Sequence, residues 1–264
     1  MAATRMKVRV ENTARRIRLV LGGAVVADTT AAKLVWEGAV PWYAIPRGDV
    51  VEGVLVDEDH TEDHPGLGRA HYFTVVSGDT RVEHAAWSYP EPEVAAYEGL
   101  VRFDWEAMDA WFEEDEQVFV QPRDPYHRVD VIASSRHVRV EVDGVTVAET
   151  ERPVLLFETR LPTRYYLPKL DVRMDLLTRT DTGSACPYKG DASYWSVQVN
   201  GVVHEDLAWG YETPIAASSR IANHIAFFDE KVDVHVDGEL QPRPRTFWST
   251  HDVEEAVGGG RRAD

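Results

Sequence analysis

The sequence predicts a mostly-β protein, α+β only in minor part: two tandem copies of a small twisted-sheet domain, each with one short helix. Three observations predict it: a long internal repeat, apolar residues at every second position, and turn dipeptides between the apolar runs. The repeat is the strongest of them. Ser193-Tyr194-Trp195-Ser196-Val197 through Ala208-Trp209-Gly210-Tyr211-Glu212-Thr213-Pro214 echoes His71-Tyr72-Phe73-Thr74-Val75 through Ala86-Trp87-Ser88-Tyr89-Pro90-Glu91-Pro92 at the same internal spacing. Upstream, Tyr165-Tyr166-Leu167-Pro168-Lys169-Leu170-Asp171-Val172 matches Tyr43-Ala44-Ile45-Pro46-Arg47-Gly48-Asp49-Val50. A self-match this long marks a duplicated domain rather than a solenoid unit.

The first copy spans 8–116 and the second 129–239, joined by the proline-punctuated linker Gln121-Pro122-Arg123-Asp124-Pro125. That linker is short, so the two copies are expected to pack on each other. In the first copy, Ile17–Leu21, Gly22-Gly23 and Ala24–Val26 read as a hairpin. In the second, Val138–Val142, Asp143-Gly144 and Val145–Ala148 read as its counterpart. Tyr194–Val199, Asn200-Gly201 and Val202–Trp209 form another, with Trp195, Val197 and Val199 on one face and Tyr194, Ser196 and Gln198 on the other. Trp209, Tyr211 and Leu207 are placed on one strand face by the same period, as are Trp87 and Tyr89. Pro214–Ala222 reads as the short helix, Ile225–Phe228 and Val232–Val236 as two more strands, and 249–264 as a disordered tail ending in Gly258-Gly259-Gly260-Arg261-Arg262.

Composition narrows the function classes. The apolar fraction of 44% and the eight tryptophans indicate globular domains. A net charge of −17 argues against nucleic acid and anionic membranes as partners, while leaving room for a small anionic ligand in a local basic pocket. There is no run near twenty apolar residues, and Met1–Val10 lacks an export signal, so the expected location is the cytoplasm. Cys186 is the only cysteine, which rules out an intramolecular disulfide and zinc sites built on cysteine pairs. Phosphate loops, dinucleotide fingerprints and nucleophile elbows are all absent, and nothing in the sequence requires a cofactor or a metal.

The chemistry-bearing residues concentrate in the second copy. In Cys186-Pro187-Tyr188-Lys189-Gly190, Pro187 keeps Cys186 out of the helical region and Gly190 permits a close turn. Lys189 is placed to hold positive charge near the sulfur and favour its thiolate, the alternative being that Cys186 is a small buried hydrophobe. The first copy has His64-Pro65-Gly66-Leu67-Gly68 here, keeping the proline and glycine and losing the polar side chains. Lys169, Arg47 in the first copy, suits a carboxylate or phosphate, or a plain surface salt bridge. Asp171 and Asp49 are assigned a structural role, satisfying turn amides. Tyr166, Tyr188, Tyr194, Trp209, Tyr211 and Arg164 complete the candidate binding set, with Glu158 and Arg164 as supporting residues. His60 and His64, in an acid-rich stretch, have metal-like composition, yet Pro65 and the charges read as a solvated loop.

These motifs carry a resemblance. Tyr165–Val172, Cys186–Tyr194, Ala208–Pro214 and Ile221-Ala222 with Ala226-Phe227 resemble the family of domains of unknown function numbered 427, across nearly all of the second copy. The first copy resembles it more weakly, with His64 and Leu67 in place of the signature cysteine and lysine, which makes the chain similar to a tandem member. The resemblance implies Mss4-like or β-tent-like sheets. Some proteins with those sheets bind zinc through cysteine pairs, which one cysteine cannot supply; others use a cysteine for redox work. The family also carries a nucleotidyltransferase-like label, for which the sequence offers neither paired metal-binding acids nor a glycine-serine phosphate loop.

The expectation is therefore a small-molecule enzyme or ligand-handling protein, with Cys186 as nucleophile or redox centre and Lys189 as thiolate stabiliser or anion binder. A non-catalytic binding module is the alternative from a different class, and nucleotidyl transfer a further one.

Overall fold

The computed structural model describes residues 8–250. Most of the expected tail, residues 251–264, lies outside them. The chain divides into two compact units, Met1–Asp124 and Pro125–Asp264.

Each unit contains two antiparallel sheets. In the first, a seven-stranded sheet runs in the spatial order Arg9–Asn12, Lys33–Trp36, Pro41–Pro46, Leu100–Phe103, Thr80–Ser88, Gly68–Ser77, Leu55–His64. A four-stranded sheet runs Glu116–Val118, Ala110–Glu113, Ile17–Leu21, Ala24–Thr29. In the second, the large sheet runs Val129–Ala133, Val154–Glu158, Arg164–Pro168, His224–Phe227, Val202–Gly210, Gly190–Val199, Leu177–Cys186. The small one runs Val145–Thr150, Val138–Val142, Asp233–Val236, Glu239–Leu240. The expected mostly-β duplication is thus present, with two packed sheets per copy and no closed barrel.

The turns specify the register. Asp143-Gly144, Asn200-Gly201 and Gly22-Gly23 all hold positive φ at both central positions, the geometry of type I′ hairpins. With the turns fixed, alternation buries one set of side chains. Val138, Val140 and Val142 of the small sheet meet Leu167, Trp195, Val197, Ile225 and Phe227 of the large one. Fully burying side chains of this kind stabilises by about 1.5–3 kcal/mol each. The outer face of the large sheet carries a second cluster of Tyr166, Ala192, Tyr194, Trp209, Tyr211, Ile221 and Phe228. The first copy has the same inner core and a corresponding outer cluster.

Three irregularities are duplicated as well. Register shifts between Arg179 and Gly183, between Trp195 and Val197, and between Val140 and Glu141 recur between Asp57 and Thr61, between Phe73 and Val75, and between Leu19 and Val20. One of them corrects the sequence reading. Asp206 sits at φ 46° in the bulge, so Leu207 and Ala208 both enter the inter-sheet core while Trp209 and Tyr211 stay on the outer face.

Two elements differ from expectation in type. The stretch from Pro214 to Ala222 forms only 3-10 turns over Ala216–Ile221, broken at Ser218, because Ser218 and Ala222 bond to carbonyls three residues back. The acid-rich stretch read as a loop is the ten-residue edge strand Leu55–His64, and its charges suit an unpaired sheet edge. Among the described residues, no helix is long and apolar enough to cross a membrane.

Candidate functional site

The turn Cys186–Gly190 links the edge strand Leu177–Cys186 to Gly190–Val199. Its shape is set by backbone: Lys189 N donates to Cys186 O (3.3 Å), and Ile215 N to Lys189 O (3.0 Å). Gly190 has φ +102°, and a Cβ there would meet Ile215 N and Thr213 O at 3.4 Å. Gly68 repeats this at φ +111°, with Glu91 O at 2.9 Å. The glycine kept in both copies is therefore a requirement of close backbone approach.

Cys186 is half-buried and aligned with Gly190 across the strand pair, on the outer face of the large sheet. Around it the face is aromatic and polar. Ser184 and Tyr194 share a hydroxyl–hydroxyl bond of 2.8 Å. Trp209 Nε1 donates to the Tyr166 hydroxyl at 3.1 Å. Burial pushes the Tyr166, Tyr194 and Tyr211 hydroxyls upward, and the sulfur of Cys186 adds to the rise in all three, placing it within electrostatic reach of each.

Lys189 lies inside this face, 8% exposed, with its ammonium 2.5 Å from Glu158 Oε2. The other Glu158 oxygen accepts from His127 Nε2 at 2.9 Å, and the His127 ring stacks on Tyr188 at 4.4 Å. Burial alone would raise the Glu158 carboxyl, but Lys189 and His127 hold it below its ordinary value. A buried ionic group of this kind is a weak source of stability and a recurrent feature of functional sites.

Arg164 forms a second buried ion cluster. It reaches Glu230 with both terminal nitrogens (2.8 and 2.6 Å), lies 3.5 Å from Asp229, and sits over the Trp209 ring at 5.4 Å. Burial pushes Asp229 up to about 7, with Arg164 opposing the rise.

The duplicate shows how these charges are balanced. Leu155 pairs with Tyr165 as Leu34 pairs with Tyr43, so Glu158 occupies the place of Glu37. Trp209 faces Ala226 as Trp87 faces Arg102. In the first copy Glu37 takes its cation from Arg102 (2.9 Å) and a hydrogen bond from Tyr97, while Leu67 is buried at the position of Lys189. A guanidinium covers the equivalent tryptophan in both copies, from Arg102 in one and Arg164 in the other. The side-chain differences between the copies are thus coordinated.

Cys186, Lys189, Tyr166, Tyr188, Tyr194, Trp209, Tyr211 and Arg164 all belong to elements meeting on this outer face. Lys169 does not join them: its ammonium lies 5.0 Å over Trp195, a residue of the inter-sheet core, and 3.5 Å from Glu212. Asp171 accepts from the Thr150 hydroxyl (2.7 Å) and Arg152 (2.9 Å), as Asp49 accepts from Thr29 (2.5 Å), where turn amides were the expected donors. His127, Asp229, Glu230, Phe228 and Trp248 are neighbours that sequence reasoning did not place here. In the first copy His64 Nδ1 bonds the Tyr89 hydroxyl at 2.7 Å, and its Nε2 lies 3.6 Å from Glu62. Among the described residues, no group of three His, Cys, Asp or Glu side chains is arranged to hold a metal ion.

A comparison with curated proteins found no match to this chain. The family model of the domain of unknown function (DUF427) matches residues 9–114 and again 130–238. Each match covers one of the two folded copies and ends close to its last strands. The chain belongs to the DUF427 family, as a tandem member with two copies of its domain.

Proposed function

We propose that the second copy handles a small molecule on the outer face of its large sheet, with Cys186 as the group that reacts with or contacts it. The supporting observation is the company of the thiol: a half-buried cysteine within electrostatic reach of three buried tyrosines, on the same turn as Lys189 with its Glu158 and His127 partners, an arrangement the first copy does not reproduce in full. In this reading Lys189 is a positioning residue. It fixes the turn that carries Cys186 and brings positive charge to the face, balanced by Glu158. The tyrosines and Trp209 shape the ligand contact, and anionic ligands fall within its range.

The test is the rate of Cys186 alkylation by iodoacetamide against pH, in the parent chain and in the charge-neutral double variant Lys189→Met/Glu158→Gln. The thiolate displaces iodide, forming the S–C bond as the C–I bond breaks, so the rate follows thiolate population. A midpoint well below about 8.5, moved by the double variant, supports an activated thiol. A midpoint at the unperturbed value removes the thiol from the mechanism.

A binding module in which the thiol is dispensable is the second reading. It is favoured by Lys189 being engaged by Glu158, which limits its charge on the sulfur. Nucleotidyl transfer, the activity in the family model's label, would require Mg²⁺-dependent nucleotide binding, which calorimetry tests directly.

A further inference from the structure

A second group of charges in the second copy lies apart from the Cys186 face, at the rim of the inter-sheet core. Lys169 and Arg179 come from different elements, the 3-10 turn Lys169–Asp171 and the edge strand Leu177–Cys186. Both reach one ring: the Lys169 ammonium lies 5.0 Å and the Arg179 guanidinium 6.0 Å from the Trp195 centroid. Trp195 is the cross-strand partner of Arg179 and a member of the core, so the floor on which the two cations meet is fixed. The Arg179 guanidinium also donates to the Ser193 hydroxyl at 2.9 Å.

A carboxylate lies between the cations. Glu212 Oε1 is 3.5 Å from Lys169 Nζ, and Arg179 Nη1 is 3.4 and 3.5 Å from the two Glu212 oxygens. These are long contacts for charged partners, which ordinarily meet at about 2.7–2.9 Å. Neighbouring pairs do reach that length: Arg152 with Asp171 at 2.9 Å and Arg173 with Asp175 at 2.7 Å. Glu212, its side chain 43% exposed, bridges its two cations loosely. The first copy lacks the group. By strand register Asp57 takes the place of Arg179 opposite Phe73, and His71 that of Ser193. Pro90 stands where Glu212 does, with Arg47 as the cation over Phe73 at 4.8 Å. In a chain of net charge −17, two cations sharing one loosely held acid are a local excess of positive charge.

We propose that Lys169, Arg179 and Ser193 form an anion site for a dianionic phosphoryl group, with Glu212 as the built-in occupant that the ligand displaces. The charge of the ligand follows from that competitor. Glu212 is tethered and acts at a high effective concentration. A free monocarboxylate brings the same charge without the tether and loses to it. A phosphoryl group brings two charges, matching both cations, and oxygens for the guanidinium fork and the ammonium. Ser193 accepts from Arg179, so its own proton can turn to a ligand oxygen. The site does not involve Cys186, and its failure would leave the reading of the outer face untouched.

The test is calorimetry of the full chain at low salt and pH about 7.5, where a phosphate monoester carries close to two charges. Inorganic phosphate, phenyl phosphate and acetate are the probes. Glu212→Gln is expected to tighten phosphate binding roughly tenfold by removing the tethered competitor. Arg179→Gln and Lys169→Gln are each expected to weaken it roughly tenfold. Acetate is expected to bind the parent far more weakly than phosphate. Phenyl phosphate binding better than inorganic phosphate identifies an ester as the source of the group, and the reverse identifies the free ion; both support the site. Absence of phosphate binding in the parent and in Glu212→Gln overturns the proposal. So does phosphate binding that neither cation variant weakens, or acetate binding as tight as phosphate. The Arg179 side chain is 56% exposed, so Arg179→Gln carries the test should Lys169→Gln fail to fold.

Discussion

Lys189 and Glu158 meet as a buried ion pair 31 residues apart in sequence, while the first copy keeps the glutamate as Glu37 and replaces the lysine with Leu67. The exchange works because Arg102 supplies the missing cation from another strand. Losing one partner of such a pair leaves an uncompensated charge in a low-dielectric site. Lys189→Met is expected to destabilise the second copy by about 3–5 kcal/mol, with His127 as the remaining partner of Glu158. Adding Glu158→Gln is expected to recover a large part of that loss. Urea unfolding of the two variants checks it: equal losses in the single and double variants would mean that the Glu158 charge left by Lys189→Met is not what costs stability.

The turn glycines give a graded pair of outcomes. A methyl group at Gly190 meets backbone atoms at 3.4 Å, whereas at Gly68 it meets a carbonyl oxygen at 2.9 Å. Both also lose the easy access to positive φ that glycine has. Gly190→Ala is expected to destabilise by about 1–2 kcal/mol and Gly68→Ala by more, since the backbone of Glu91 must shift. Thermal melts of the two variants test the order, and a larger loss at Gly190 would contradict the contact argument.

Much of the architecture was legible because this sequence states its turns. Asp143-Gly144, Asn200-Gly201 and Gly22-Gly23 each close a hairpin, and the two-residue period then assigns Trp195, Val197 and Val199 to the core. Leu207 was misplaced because a bulge inserts residues that a strict period cannot show. The strand Leu55–His64 was missed because an edge strand bears charges that otherwise mark a loop. On the outer face, the motif Cys186–Gly190 was visible as a motif, but its partners were not. His127 precedes the repeat, Trp248 follows it, and the tie from Lys189 to Glu158 depends on strand order rather than on spacing. Lys169 was grouped with Cys186 from proximity in a motif-dense stretch, and the sheet separates them by placing Lys169 over Trp195.

Asp229 makes stability depend on pH in a direction unusual for a carboxylate. Its ordinary value is 3.8, and burial carries it up to about 7 in the folded protein. Between those values the native state holds a proton that the unfolded chain has released, so unfolding gives up a proton. Stability therefore falls as pH rises from about 4 to about 7, and the penalty is complete above 7. Asp229→Asn removes the ionisation while keeping the shape. The variant is expected to match the parent near pH 4 and to exceed it by a few kcal/mol at pH 8, the size being set by the net shift, in which the opposing attraction of Arg164 is already contained. Urea midpoints measured at both pH values decide the matter. A gain of equal size at pH 4 and 8 would mean that Asp229 does not titrate in this range, and a loss at pH 8 would mean that its attraction to Arg164 outweighs its burial.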